Sequence, residues 1–387
     1  MKQQTFYRDT WVEINLDCIY NNVVNIKRFI PNATEVIAVV KANAYGHGDV
    51  QVAKIALEAG ATRLAVAMLD EALHLRRHGI TAPIIVLGVV RPQDADIAAE
   101  HQIAVTVFRK GWLQEAEQSR MNDRPLHIHL KLDTGMGRLG IRTKEELIEL
   151  LPFFHMPSFY IEGAYTHFAA ADELNTVHVE GQYKKFLCML DWLKEYDIQP
   201  PMIHCANSAT SYRFSERVFN AVRIGIGMYG LTPSVEMNSL IPVDNKPAFS
   251  LHSRLTHIKK LNVGDTVSYG ATYTAEEEEW IGTVAIGYAD GWRRSLQGFH
   301  VLVDGEKVPI VGRVCMDQLM VRLPRYAPVD TEVILVGQQG EAEVTMEEVA
   351  SYLDTINYEI PNMIGARVPR VFKRNDEIVE VMTRFSL

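Results

Sequence analysis

Between residues 35 and 226, eight short runs of aliphatic and β-branched residues alternate with longer segments of helical period. The runs are 35–40, 64–68, 84–87, 104–107, 127–132, 160–167, 202–205 and 221–226. Strands joined through helices lie parallel, because a parallel pair needs a crossover of a dozen residues or more. Eight such units in this span predict a (β/α)8 barrel of the TIM type. Of the intervening helices, 183–196 is the clearest. Its period puts Phe186, Leu187, Leu190 and Leu193 on one face, with Lys184, Lys185, Asp191 and Lys194 turned away.

The alternation stops at 232–249, a stretch rich in Pro, Ser and Asn. Beyond it, 251–261, 280–286, 300–303, 307–311, 318–323 and 332–336 read as short strands between Gly, Pro and Asp turns. The expected organisation is a barrel over 1–240 followed by a mainly β domain over 241–387, and a length of 387 residues leaves room for both. The acidic run 276–279 reads as a solvated turn.

Composition narrows the class. With 47% hydrophobic and 22% charged residues the chain can bury a large core, which excludes disorder as its main state. A formal net charge of −9 argues against a nucleic-acid surface. Cys18, Cys188, Cys205 and Cys315 are widely spaced in apolar or strand-like contexts and read as reduced, buried thiols. The first ten residues carry no apolar signal-like stretch, and no run is long enough to cross a membrane. A cytoplasmic protein is expected.

In a barrel of this type, reactive groups gather where the strands end. Just past the runs stand Lys41 in KANAYGHG, Arg138 in LDTGMGRLG, His167 in YTHFA, Ser208 in HCANSA and Arg223 to Gly227 in RIGIG. Lys41 follows Ala38-Val39-Val40, so its ammonium is expected to be partly desolvated, as a Schiff-base amine requires. Asn43, Tyr45, Gly46, His47 and Gly48 form a polar, flexible loop suited to a cofactor. The last two strands supply Asn207-Ser208 and Gly225-Ile226-Gly227, a hydroxyl and backbone N–H groups suited to a phosphate. Gly135 to Gly140 is a literal GxGxxG. It falls in the fifth βα unit and holds a charged Arg138, both against a dinucleotide fold. His127 and His129 share a strand face, but no neighbouring set completes a metal site, so no metal is expected. Ser268-Tyr269-Gly270, Gly287 to Gly291 and Gly312 to Asp317 read as hairpin turns that carry reactive side chains.

VVKANAYGHG, LDTGMGRLG, YTHFA, HCANS, VRIGI, SYGATY, IGYADG, GRVCMDQ and INYE stand in this order along the whole chain. In this the chain resembles the bacterial alanine racemase family, pyridoxal 5'-phosphate enzymes with an N-terminal barrel and a C-terminal β domain. The resemblance implies that Lys41 holds the cofactor as an aldimine. Tyr45, Ser208, Gly225, Ile226 and Tyr358 bind its phosphate, and Arg223 faces its pyridine nitrogen. It implies that Arg138 meets the substrate carboxylate and that Lys131 is carboxylated. Lys41 serves the D-enantiomer's proton and Tyr269 of the neighbouring subunit the L-enantiomer's, with His167 linking Arg223 to Tyr269. Tyr269 and Met316 complete the partner's site, which implies a homodimer whose product, D-alanine, feeds peptidoglycan. An arginine at 223 disfavours a decarboxylase, whereas a racemase of broader specificity stays open.

Overall fold

The computed structural model describes residues 6–385; residues 1–5, at the start of the N-terminal stretch read above, lie outside them. The chain divides into two compact units. One comprises Cys18–Ala44 and Asp49–Lys246, and the other comprises the described residues up to Asp17, Tyr45–Gly48 and those from Pro247 onward.

The first unit is a closed eight-stranded barrel. Its strands are Glu35–Val39, Arg63–Val66, Ile84–Val86, Ile103–Val107, Leu126–Lys131, Phe159–Tyr165, Met202–His204 and Ala221–Ile224. Every neighbouring pair is parallel, and the ring closes where Ile37 and Ala38 lie opposite Arg223 and Ile224. These are the eight runs of the sequence, with their bounds shifted by one or two residues. The third, fourth and eighth are buried at every position, as strands covered on both faces must be. Helix Val177–Glu195 packs on this barrel through Val179, Gln182, Phe186, Met189, Leu190 and Leu193. Leu187 is not on that face: it is 39% exposed, because a residue next to Phe186 is rotated about 100° from it.

The second unit is built on a ten-stranded sheet whose spine is the long strand Phe249–Leu261. A bulge between Leu255 and His257 lets this strand serve two sets of neighbours. Its first half pairs with Thr10–Asn15 and with Glu332–Gln339, and its second half with Glu279–Val284. Thr10–Asn15 also pairs in parallel with Arg370–Arg374, so the two ends of the chain meet in one sheet. Neither strand was expected from the sequence; Thr10–Asn15 depends on partners from the far end of the chain, while Arg370–Arg374 also pairs with the adjacent Glu377–Met382. Glu276, Glu277 and Glu278 are exposed, but Glu279 is buried and opens a strand, where its carboxylate accepts the Tyr273 hydroxyl at 2.8 Å. The acidic run is therefore a solvated turn only in part. The four cysteines are free, but only Cys205 is buried as expected: Cys188 is exposed on the helix Val177–Glu195, and Cys18 and Cys315 are half-buried. Among the described residues no helix is long and apolar enough to cross a membrane.

Candidate active site

Lys41 stands two residues past the end of the first barrel strand, and the backbone after it turns the wrong way for L-residues. Ala42, Asn43, Ala44 and Tyr45 have φ of 54°, 53°, 53° and 54°, four consecutive non-glycine residues in the left-handed region. Each costs roughly 1–2 kcal/mol relative to the right-handed form, so neighbouring groups must hold the turn. Ala44 N–H donates to Val40 O at 2.9 Å, and Ala42 N–H donates to Glu71 Oε1 at 2.6 Å. The other Glu71 oxygen accepts Ala67 N–H at 2.7 Å and Met68 N–H at 3.1 Å. Asn43 Oδ1 accepts Asp49 N–H at 3.1 Å. Ala42 is exposed, which gives a test of the turn. In a right-handed helix Ala→Gly costs about 1 kcal/mol, whereas Ala42→Gly is expected to leave the unfolding temperature unchanged or raised. A clear loss of stability by thermal unfolding would count against a strained turn.

The polar groups of the barrel mouth repel one another's positive charge. Burial and the nearby Arg138 lower the Lys41 pKa, with Glu71 opposing them, so its neutral amine is favoured. Lys131 ends the fifth strand and is 2% exposed; its ammonium lies 4.7 Å from the centre of the Tyr165 ring, and Nζ has no hydrogen-bond partner. Burial, Arg223 and Arg138 push its pKa well down. His167 is pushed well down too, by burial and by Arg223, Lys131, Arg138 and Lys41.

Arg223, on the eighth strand, is the fixed centre of this group. Its Nη2 donates to Thr166 O at 2.9 Å and Cys205 O at 3.1 Å, and lies 3.3 Å from His167 Nδ1. Its Nη1 lies 2.7 Å from His204 Nδ1. A guanidinium only donates, so both imidazoles present an acceptor nitrogen to it.

Ser208 is buried after the seventh strand, where its Oγ accepts the N–H groups of Gly225 at 3.2 Å and Gly227 at 3.3 Å. Gly225 precedes the tight turn Ile226–Tyr229. At Gly227 a Cβ would fall 2.1 Å from the Tyr212 hydroxyl, so only glycine admits that approach. The GxGxxG segment opens no helix. Asp133 accepts the N–H groups of Gly135 at 3.1 Å and Gly137 at 3.0 Å, and Ile141 returns to bond Lys131 O at 2.8 Å. It is a closed loop that carries Arg138.

Tyr45, Tyr358, Tyr269 and Met316 belong to the sheet unit. The Tyr45 and Tyr358 rings lie 6.2 Å apart, and burial pushes the Tyr45 phenol up to about 12. Tyr269 and Met316 are 70% and 53% exposed. The loops that carry them interlock. Ser268 Oγ donates to Arg313 O at 2.6 Å, while Tyr288 and Ala289 N–H donate to Cys315 O and Met316 O, both at 3.0 Å. A Cβ at Gly312 would meet Ser268 Cβ at 2.7 Å. Three segments that read singly as hairpin turns thus form one cluster.

Several residues were missed by sequence reasoning. His204 and Tyr165 look like ordinary strand residues, and only the register of their two strands stacks their rings, 4.7 Å apart and 3° from parallel. Glu71 sits in a helix with no motif around it. His127 and His129 do converge, but on the Glu162 carboxylate, at 3.2 Å and 3.6 Å.

Comparison with known proteins gives this site a family. The model described as alanine racemase, N-terminal domain matches residues 14–233, and alanine racemase, C-terminal domain matches 248–372. The alanine racemase of Geobacillus kaustophilus is 60% identical over 377 residues, covering 97% of each chain. Alanine racemase 1 of Bacillus subtilis is 49% identical over 98% of this chain and 97% of its own. The crystal structure of alanine racemase from Bacillus anthracis with bound L-Ala-P superposes with a TM-score of 0.96 at 56% identity, covering 98% of this chain and 99% of that one. A barrel mouth lined with amines and full-length agreement in sequence and fold lead to one conclusion: the chain belongs to the alanine racemase family, pyridoxal-phosphate-dependent isomerases, and its function is that of an alanine racemase.

Proposed function

We propose that this chain binds pyridoxal 5'-phosphate at the barrel mouth and racemises alanine by a two-base route in a homodimer with shared sites. The observation that carries this reading is Lys41, an amine at a barrel strand end whose pKa is lowered by burial and by Arg138, on the same barrel as a hydroxyl and N–H cluster and a fixed arginine. The residues fit the cofactor. An amine of lowered pKa suits its aldehyde, and uncharged donors at Ser208, Gly225 and Ile226 suit its phosphate; the family resemblance assigns the Tyr45 and Tyr358 phenols to the phosphate as well.

When bound, the cofactor draws electron density from the substrate and makes its Cα proton acidic. Lys41 holds the cofactor and serves as base on the D face. Arg223 faces the pyridine nitrogen, and as a guanidinium it donates a hydrogen bond without giving up its proton. Arg138 takes the substrate carboxylate. The buried, unpartnered amine of Lys131 is suited to carry a carboxylate as a carbamate that pairs with Arg138.

Tyr269, from the neighbouring subunit, serves the L face, with Met316 beside it closing the pocket. A phenol is a weak base at neutral pH unless a donor favours its phenolate. His167 supplies that donor: its Nδ1 accepts from Arg223, so the neutral ring carries its proton on Nε2. His167→Ala is therefore expected to slow L-to-D turnover by about 10²-fold, the scale of a misplaced acid–base group. Unchanged turnover by polarimetry would refute the link.

On this reading the barrel within 1–240 forms the cofactor-binding domain, although the chain's first strand, Thr10–Asn15, pairs into the sheet unit, and 241–387 lends Tyr269 and Met316 to the partner. The enzyme works in the cytoplasm and supplies D-alanine for peptidoglycan. The deciding experiment incubates the protein with L-alanine in deuterated buffer. Loss of optical rotation with deuterium at Cα is expected; exchange without inversion, or carbon dioxide release, would overturn the proposal.

A further inference from the structure

A column of polar side chains runs through the barrel from Arg223 to the opposite end, where the strands begin. Arg223 Nη1 lies 2.7 Å from His204 Nδ1; His204 Nε2 lies 3.0 Å from His129 Nδ1; His129 Nε2 lies 3.6 Å from Glu162 Oε2. Glu162 is anchored in turn by Arg63 Nη1 and by His127 Nδ1 at 3.2 Å, and Arg63 Nε pairs with Glu35 at 3.3 Å. His129, His204 and Arg223 are buried, whereas the His127 side chain is 45% exposed.

Tautomer logic reads along the column from Arg223 to His129, whose far nitrogen meets Glu162 at ion-pair distance. Arg223 can only donate, so His204 Nδ1 must accept, and a neutral His204 carries its proton on Nε2. That proton points to His129 Nδ1, which must accept, leaving the His129 proton on Nε2 beside the Glu162 carboxylate. Burial holds both imidazoles in their neutral form. The packing is cut to fit. A Cβ at Gly163 would lie 2.3 Å from His129 Nδ1, the strand register shifts between Ile128 and His129, and the His204 ring is stacked flat on Tyr165. The mechanism above uses none of His129, His204 and Glu162.

We infer that Glu162 is a positioning residue: through His129 and His204 it fixes both tautomers so that an imidazole lone pair meets Arg223 and holds its guanidinium in place. Carboxylates that set the tautomer of a functional histidine are worth about 10–100-fold in metal sites, and a similar loss is expected here. The catalytic consequence rests on the role proposed for Arg223; the tautomers themselves do not.

The test is ¹⁵N NMR of histidine-labelled holoenzyme, with signals assigned from His129→Gln and His204→Asn. Wild type is expected to show both rings neutral and protonated on Nε2. In Glu162→Gln and Glu162→Met, Nδ1-protonated signal is expected to appear, and kcat to fall about tenfold or more with KM little changed. Wild-type rings protonated on Nδ1, or tautomers unmoved in the Glu162 variants, would overturn the inference. If Glu162→Met does not fold, the wild-type and Glu162→Gln spectra decide. Shifted tautomers with unchanged kcat would overturn the positioning role. Failure of the Arg223 role itself would show separately, as an Arg223→Met enzyme with wild-type kcat and unmoved histidine signals.

Discussion

Lys41→Ala is expected to abolish racemisation and to leave the purified protein without its visible absorbance. An ordinary lysine, with a pKa of about 10.4, is neutral in roughly one molecule in 10³ at pH 7. Burial and Arg138 raise that fraction at Lys41. Losing the amine removes both the cofactor's covalent partner and one base, and a base alone is worth about 10²–10⁴-fold. Lys41→Arg separates chemistry from charge: it keeps the cation yet offers no nucleophile, and is expected to be equally inactive. Polarimetry and absorbance before and after borohydride check both variants. A Lys41→Ala protein that still racemised alanine would remove Lys41 from the chemistry.

Tyr269→Phe is expected to lower racemisation by about 10²–10⁴-fold and to do so asymmetrically. Exchange of the D-alanine Cα proton persists through Lys41, while exchange from L-alanine is lost. The ring is 70% exposed, so stability is expected to change by no more than about 0.5 kcal/mol, as for most surface substitutions. Subunit mixing tests where the tyrosine acts. If each site combines Lys41 of one chain with Tyr269 of the other, a hybrid of Lys41→Ala and Tyr269→Phe chains has one doubly damaged site and one intact site. Random reassembly then restores about a quarter of wild-type activity, because half the dimers are hybrids. Recovery no greater than in the separate variants would show that the two residues do not act across a dimer.

The barrel was legible because its strands are buried on both faces and read as unbroken aliphatic runs between helices. The lysine, serine and arginine at strand ends were legible because that fold sends strand ends to one mouth. Less visible were elements whose partners lie far away. Thr10–Asn15 becomes a strand only against Phe249–Leu261 and Arg370–Arg374. Glu279 looked like its acidic neighbours until a strand drew it inside. Leu187 fell off its helix face because the stripe is set by Gln182, Phe186 and Met189, one of them polar.

By itself the sequence determined the fold class and the chemistry on offer: eight parallel units, a lysine after the first strand, N–H donors after the last two, and motifs in family order. Those signals are local, since periodicity and turn residues act over a few positions. Tertiary structure alone decided three things. It wound Ala42, Asn43 and Ala44 left-handed with no glycine to announce it, held by Glu71 and Val40. It buried His167 and gathered Arg223, Lys131, Arg138 and Lys41 around it, and so kept that ring neutral. It joined His204, His129 and Glu162 into one column, assigning a proton to each ring. A tautomer and a desolvated amine are set by what surrounds them in space, and those neighbours come from strands that meet only when the barrel closes.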